Sequence, residues 1–180
     1  MKHVLVFCGS SPGARTDYVA HAEELGRLLA ARDLTLVYGG ARVGLMGALA
    51  DSTLAAGGSV IGVIPRGLTE HEVAHGGLTE LHVVEGMHER KALMAERAEA
   101  VIALPGGLGT LDELFELLTW KQIGLHHKPV GVLDVAGYWQ PLLRVLEHAV
   151  AEGFVRYEHI EQLLVERAAP VLLDRLADHE

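Results

Sequence analysis

Two cations and two carboxylates stand out from this chain by their spacing. Met87, Arg90, Lys91 and Met94 fall at i, i+3, i+4 and i+7, so a helix through them carries both cations on one face between two flexible apolar side chains. Such a face suits a planar base and a phosphate. It equally describes a partly buried surface helix whose Arg90 and Lys91 reach past apolar neighbours to water. Glu113 and Glu116 share nearly one face of a second helix, directly behind the run Pro105-Gly106-Gly107-Leu108-Gly109-Thr110. A carboxylate there can reach a sugar, yet Thr110-Leu111-Asp112-Glu113 also spells a capping box in which Glu113 bonds only the Thr110 backbone.

Glycine placement gives these groups a setting. Three glycine-containing loops each follow an apolar, strand-like run: Cys8-Gly9-Ser10-Ser11-Pro12-Gly13, Tyr38-Gly39-Gly40-Ala41-Arg42-Val43-Gly44, and Pro105 to Thr110. Glycine allows close backbone approach, and a helix that follows offers free N–H groups and a positive dipole end, so Gly106 to Thr110 suits a phosphate. Neither common nucleotide signature is present. Gly39 to Gly44 has P-loop spacing, but Leu45 and Met46 stand where Lys and Ser or Thr must hold phosphate and magnesium. Gly107-x-Gly109 is followed by Thr110, Leu111 and Asp112, which excludes the Gly-x-Gly-x-x-Gly dinucleotide fingerprint.

His71-Glu72-Val73-Ala74-His75 spells the zinc-protease pattern His-Glu-x-x-His. That chemistry needs both histidines on one stable helix and a third ligand. Pro65-Arg66-Gly67 before it and Gly76-Gly77 after it leave barely two turns, so no metal site is expected. The other histidines, including the pair His126-His127, lack ligand spacing and are expected at the surface.

The elements that must position these groups follow from the apolar runs. Val4 to Phe7, Leu34 to Val37, Val60 to Ile64, Leu81 to Val84, Ala100 to Leu104 and Val130 to Leu133 are continuous rather than alternating, as strands covered on both faces should be. A weaker seventh run lies near Gln162 to Val165. Helices are expected at Thr16 to Arg32, Gly44 to Ala56, Met87 to Ala98, Thr110 to Gly124, Tyr138 to Ala151 and Pro170 to Ala177. This alternation is that of βαβ units, and the expected fold is α/β: a Rossmann-like, doubly wound sandwich around a central, mainly parallel sheet of six or seven strands. In such sheets ligands bind at the carboxyl ends of the strands near the point where strand order reverses, so the three loops should converge on one crevice. The long connection from Pro65 to Glu80, with no clear element of its own, is a candidate cover for it.

Composition bounds the rest. With 180 residues, no linker and no composition shift, a single domain over 1–180 is expected. The one cysteine, Cys8, forbids an internal disulfide and agrees with a reducing compartment. The apolar run after Met1-Lys2-His3 is too short for a signal peptide and no stretch approaches a membrane span, so a cytoplasmic location is expected. Fifteen basic against 24 acidic residues, net charge −9, argues against a nucleic-acid or anionic-membrane surface.

Pro105-Gly106-Gly107-Leu108-Gly109-Thr110-Leu111-Asp112-Glu113 resembles the Pro-Gly-Gly-x-Gly-Thr-x-x-Glu motif of the LOG (Lonely Guy) family, cytokinin riboside 5'-monophosphate phosphoribohydrolases. Cys8-Gly9-Ser10-Ser11, Val43-Gly44-Leu45-Met46-Gly47, Met87-His88-Glu89-Arg90-Lys91 and Thr119-Trp120 occur in the family's order and spacing, so the resemblance spans nearly the whole chain. Ala41 departs from it, where a third glycine is common; a positive φ there would strain alanine. Members are often labelled lysine decarboxylases, but nothing marks Lys2, Lys91, Lys121 or Lys128 as a pyridoxal-phosphate Schiff base.

The resemblance implies hydrolysis of the N-glycosidic bond of a purine nucleoside 5'-monophosphate, AMP or an N6-modified AMP, without metal or redox cofactor. Carried over by position, Arg90 and Glu113 correspond to the catalytic pair. The substrate-contacting set comprises Gly9, Ser10, Gly40, Met46, Glu72, Lys91, Met94, Gly106, Gly107, Leu108, Gly109, Thr110, Glu116 and Thr119. The resemblance also implies a homodimer. The alternative is a non-catalytic carrier of a phosphorylated cofactor, because molybdenum-cofactor carrier proteins resemble the glycine motif too.

Overall fold

A computed structural model describes residues 1–68 and 74–179. The chain runs β1 (His3–Phe7), α1 (Thr16–Ala31), β2 (Thr35–Tyr38), α2 (Gly44–Ala55), β3 (Val60–Pro65), β4 (Glu80–Val84), α3 (Met87–Arg97) and β5 (Ala100–Ala103). It continues with α4 (Leu108–Gln122), β6 (Val130–Leu133), α5 (Gln140–Ala151), α6 (Tyr157–Glu161), β7 (Leu163–Glu166) and α7 (Ala169–Ala177). The seven strands form one sheet in the order β4-β3-β2-β1-β5-β6-β7, and each neighbouring pair is parallel. The sheet is thus wholly rather than mainly parallel, and the weak seventh run is a strand.

Period-two alternation of side chains explains why the strand runs are continuously apolar. Val4 and Val6 of β1 point into a core layer built with Leu25 and Leu29 of α1, Leu45 and Leu49 of α2, and Leu172 and Leu176 of α7. Leu5 and Phe7 point the other way, into a layer with Met94 of α3, Leu114 and Leu117 of α4, and Leu146 of α5. Both faces are therefore closed by helices, the doubly wound arrangement.

Strand order reverses between β1 and β5, where the chain moves from one half of the sheet to the other. The loops after these two strands meet there: the Gly9 N–H donates to the Pro105 carbonyl at 3.1 Å, and the Leu45 N–H at the start of α2 donates to the Gly9 carbonyl at 3.0 Å. Gly44 makes the approach possible. Its φ is +58°, and a Cβ there would stand 2.3 Å from the Ser10 carbonyl carbon and 2.4 Å from the Ser11 nitrogen, both backbone atoms. Gly44→Ala should therefore lower stability by about 2–3 kcal/mol and Tm by roughly 5–10 °C, read from thermal melts; an unchanged Tm would refute this packing.

Most element ends lie within a residue or two of the sequence reading; two helix starts and one extra helix differ from it for physical reasons. Helix α4 starts at Leu108 rather than Thr110, with Gly107 as its N-cap and no side-chain cap bond. Helix α5 starts at Gln140 rather than Tyr138, because a single 3-10 turn, Val135–Gly137, comes first and the buried Asp134 accepts the Trp139 N–H at 2.8 Å. The short α6 was not expected; its five residues bury no side chain, so they carry no apolar period to read. Among the described residues no helix is long and apolar enough to cross a membrane.

Candidate active site

Helices α3 and α4 both start at the carboxyl edge of the sheet, and their first turns bring Arg90 and Glu113 together over the β1–β5 reversal. Arg90 Nη1 lies 3.9 Å from Glu113 Oε1, with the side chains 7% and 11% exposed. Neither residue takes the bland role open to it in the sequence. Arg90 is buried instead of reaching to water: its Nε donates to the Val63 carbonyl at 3.1 Å and its Nη2 to the Gly39 carbonyl at 3.0 Å. Glu113 is not the acid of a capping box, since Thr110 sits inside the first turn of α4 and is not its N-cap.

The guanidinium is thus fixed by backbone carbonyls just after β2 and within β3 and presented to a carboxylate from the other half of the sheet. Gly39 is required for this, because a Cβ there would stand 2.1 Å from Arg90 Nη2. Cys8, at the end of β1, lies beside the pair. Burial pushes its thiol far above the ordinary range and the Glu113 carboxylate adds to that, while Arg90 opposes it. Such surroundings disfavour the thiolate, the form a cysteine nucleophile needs.

Lys91 makes a second cluster one residue on. Its Nζ lies 2.7 Å from Asp112 Oδ2 and 3.2 Å from Glu116 Oε2. Burial alone would lower its pKa, but the two carboxylates outweigh it and hold the ammonium above its ordinary value.

A cleft of about 230 Å³ opens between the first and third glycine loops, lined by Gly9, Ser10, Ser11, Gly106, Gly107 and Tyr138 among others. The Tyr138 hydroxyl donates to the Gly106 carbonyl. A Cβ on Gly106 would stand 2.1 Å from Thr110 Oγ1, so the glycine lets the buried Thr110 close against the loop. Gly107 and Gly109 face open space, and the first N–H groups of α4 have no carbonyl partner within the helix. Loop and helix start together make an anion cradle. A larger cavity, about 630 Å³, is elsewhere, lined by Lys121, His127, Glu158, Gln162 and His179. It contains none of the glycine loops, and the Arg90–Glu113 pair is among the lining residues of neither cavity.

Most of the candidate residues from the sequence lie at this edge: Gly9, Ser10, Gly106 and Gly107 on the cleft, Leu108 and Gly109 exposed at the start of α4, Lys91 and Glu116 in the second cluster. Gly40 has φ +79° and backs onto Val63 and Ile64, and the Met46 N–H reaches the Gly9 carbonyl at 3.4 Å. Ala41 has no positive φ; it is fully buried and bridges Ala74, so the strain feared for it does not arise.

Two candidates fall away from the site. Met94, 1% exposed, belongs to the core layer under the sheet: seven residues return to the same helix face but descend about 10 Å along α3. Thr119 lies six residues past Glu113, exposed, with its hydroxyl on the Phe115 carbonyl at 2.7 Å, in a separate groove with Leu118 and Leu146. Glu72 and His71 lie outside the described residues. His75, the other histidine of the zinc pattern, is not on a helix; its Nε2 meets Asp51 Oδ1 at 2.8 Å. Of the pair His126-His127, His127 is exposed as expected, whereas His126 is partly buried, with Nε2 2.9 Å from the Leu117 carbonyl, and burial lowers its pKa.

Several site residues escaped the sequence reading. Tyr138 comes from 32 residues downstream with no motif of its own, and the Gly39 and Val63 carbonyls have no side-chain signature. Asp112 was legible, four residues before Glu116 and therefore on its face.

With this geometry in hand, comparison with known proteins decides the family. Residues 46–176 match the family described as "Possible lysine decarboxylase". The chain is 58% identical over 155 residues to the cytokinin riboside 5'-monophosphate phosphoribohydrolase of Rhodococcoides fascians, covering 86% of this chain and 78% of that one. It is 44% identical over 178 residues to the enzyme of the same name from Arabidopsis thaliana, covering 99% and 84%. The chain belongs to the LOG family. Solved structures share the LOG chain's fold at lower identity. The molybdenum cofactor carrier protein of Chlamydomonas reinhardtii superposes with a TM-score of 0.72 at 20% identity, covering 99% of this chain and 97% of that one. The molybdenum cofactor binding protein of Rippkaea orientalis gives 0.73 at 23%, with the same coverage.

Proposed function

We propose that this chain hydrolyses the N-glycosidic bond of purine nucleoside 5'-monophosphates, AMP or N6-modified AMP, to free base and ribose 5-phosphate. The observation that carries it is the buried Arg90–Glu113 pair at the sheet's reversal point, one turn behind an anion-cradling helix start. Cleavage of a glycosidic bond passes through an oxocarbenium-like state, which a fixed carboxylate stabilises while it orients or deprotonates the attacking water. Glu113 fills that role. Arg90, anchored to Gly39 and Val63, keeps the carboxylate aimed, and its remaining N–H groups serve the phosphate or the departing base.

The N–H groups of Gly107 to Thr110 take the phosphate. Binding energy from that unreactive end then sets C1' before the carboxylate. Lys91, paired with Asp112 and Glu116, ties α3 to α4 beside the pair. Glu72 joins these by alignment with the family motif. Each of these roles needs only side chains, backbone and water.

The same reading takes the protein as one cytoplasmic domain that works as a homodimer. A second copy would cover the exposed Phe115, Ile123 and Leu125 on and after α4. A non-catalytic carrier has the shared fold and the glycine motif in its favour, whereas a buried carboxylate beside the anion cradle suits chemistry at C1' better than retention of a phosphorylated ligand. The test is release of free base from AMP and from N6-isopentenyl-AMP by the metal-free protein, followed by chromatography. Base release from either substrate supports the hydrolase and the ratio of kcat/KM ranks the substrates; stable binding with no release of base overturns it.

A further inference from the structure

His75 belongs to the sequence pattern that a zinc protease would use, and the site described above does not employ it. Its surroundings are nonetheless specific. The Gly77 N–H donates to His75 Nδ1 at 3.1 Å, which places the imidazole proton on Nε2 and makes the 2.8 Å contact with Asp51 Oδ1 a donation to that carboxylate. Both ring nitrogens are thereby engaged, and the side chain is 11% exposed although Asp51 on α2 is 71% exposed. The backbone of the same residue donates to the Gly40 carbonyl at 3.0 Å, and its neighbour Ala74 bridges Ala41 in antiparallel sense.

These contacts bear on one short piece of chain. Gly39, Gly40 and Ala41 form the second glycine loop, and the Gly39 carbonyl is one of the two acceptors that fix the Arg90 guanidinium. Gly40 is wedged against β3, since a Cβ there would stand 3.3 Å from the Val63 backbone. The loop is therefore held from behind by β3 and from the outside by His75, which is itself tied to α2 through Asp51. Both outer contacts are made by backbone, the His75 N–H on the Gly40 carbonyl and the Ala74 bridge to Ala41, so the imidazole acts on the loop by fixing the chain that carries them.

We propose that His75, oriented by Asp51, is a positioning residue: it clamps the Gly39–Ala41 loop so that the Gly39 carbonyl holds the Arg90 guanidinium against Glu113. The inference rests on the hydrolase reading of that pair for its kinetic consequence, but not for its structural one. A displacement of the guanidinium by a fraction of an ångström is enough to lower turnover by about tenfold or more, because near-attack geometry is lost while phosphate binding is kept.

The test uses His75→Ala and Asp51→Ala in the full chain. The Asp51 change removes the acceptor of the His75 Nε2–H at an exposed position, so it reads the clamp even where His75→Ala folds poorly. In arginine-labelled protein without substrate, both variants should displace the Arg90 Nη2–H resonances, which report the bond to the Gly39 carbonyl. With AMP or N6-isopentenyl-AMP they should lower kcat about tenfold with KM within about threefold, and the loss should shrink in an Arg90→Lys background, where the aligned guanidinium is already gone. An unmoved resonance overturns the clamp whatever the activity does. An equal loss of kcat in the Arg90→Lys background overturns it too, since a general weakening of the fold would be additive. A displaced resonance in a protein that releases no base from either nucleotide leaves the clamp standing and removes the hydrolase reading instead.

Discussion

Glu113→Gln should bind nucleotide monophosphate as the parent protein does while losing turnover by about 10³-fold, the scale expected when one group supplies both charge stabilisation and proton acceptance. The substitution is nearly isosteric and keeps a hydrogen-bonding oxygen towards Arg90, so the helix and the anion cradle one turn before it are undisturbed. What disappears is the negative charge facing the developing oxocarbenium and the base that orients water. Equilibrium titration with AMP separates the two effects: unchanged affinity with lost base release assigns Glu113 to chemistry, and near-normal turnover removes it from the mechanism.

Arg90→Lys should be almost as damaging, although the charge is retained. A lysine ammonium cannot meet the Val63 and Gly39 carbonyls and the Glu113 carboxylate from three directions of one rigid plane, as the guanidinium does. Turnover should fall by about 10²-fold or more, the scale of losing one aligned donor at a reacting centre. Each buried carbonyl left without its donor costs about 1–3 kcal/mol, so a thermal melt of Arg90→Ala should show a fall beyond that of the lysine variant. Equal kcat in Arg90→Lys and the parent would show that a point charge suffices and that the bonds to Gly39 and Val63 serve stability alone.

Much of this arrangement could be read before the fold was seen, for identifiable reasons. Strands covered on both faces leave continuous apolar runs such as Val4 to Phe7, and the punctuation by Gly9, Gly39 and Gly106 marks where each run must turn at the carboxyl edge. Glu113 and Arg90 were legible because each sits in the first turns of a helix that begins at that edge. Met94 and Thr119 share a motif or a helix with them, yet helix rise carries both away from the edge, a fact that periodicity around the axis does not express.

What the sequence withheld is chiefly backbone and long-range contact. The carbonyls of Gly39 and Val63 that set Arg90 belong to residues whose side chains have no part in the matter. Tyr138 reaches Gly106 only because β5 and β6 are neighbours in the sheet. The start of α4 was misplaced by the capping pattern at Thr110: the helix begins earlier because Gly107 can serve as its cap and the threonine is drawn inward against Gly106.

The most direct test of the hydrolytic assignment is a product balance on AMP and N6-isopentenyl-AMP with the purified, metal-free chain. Free base and ribose 5-phosphate should appear in equal amounts as the nucleotide disappears, and neither nucleoside nor inorganic phosphate should form. Intact nucleotide recovered from a folded protein that binds it, or nucleoside with inorganic phosphate, would contradict the account.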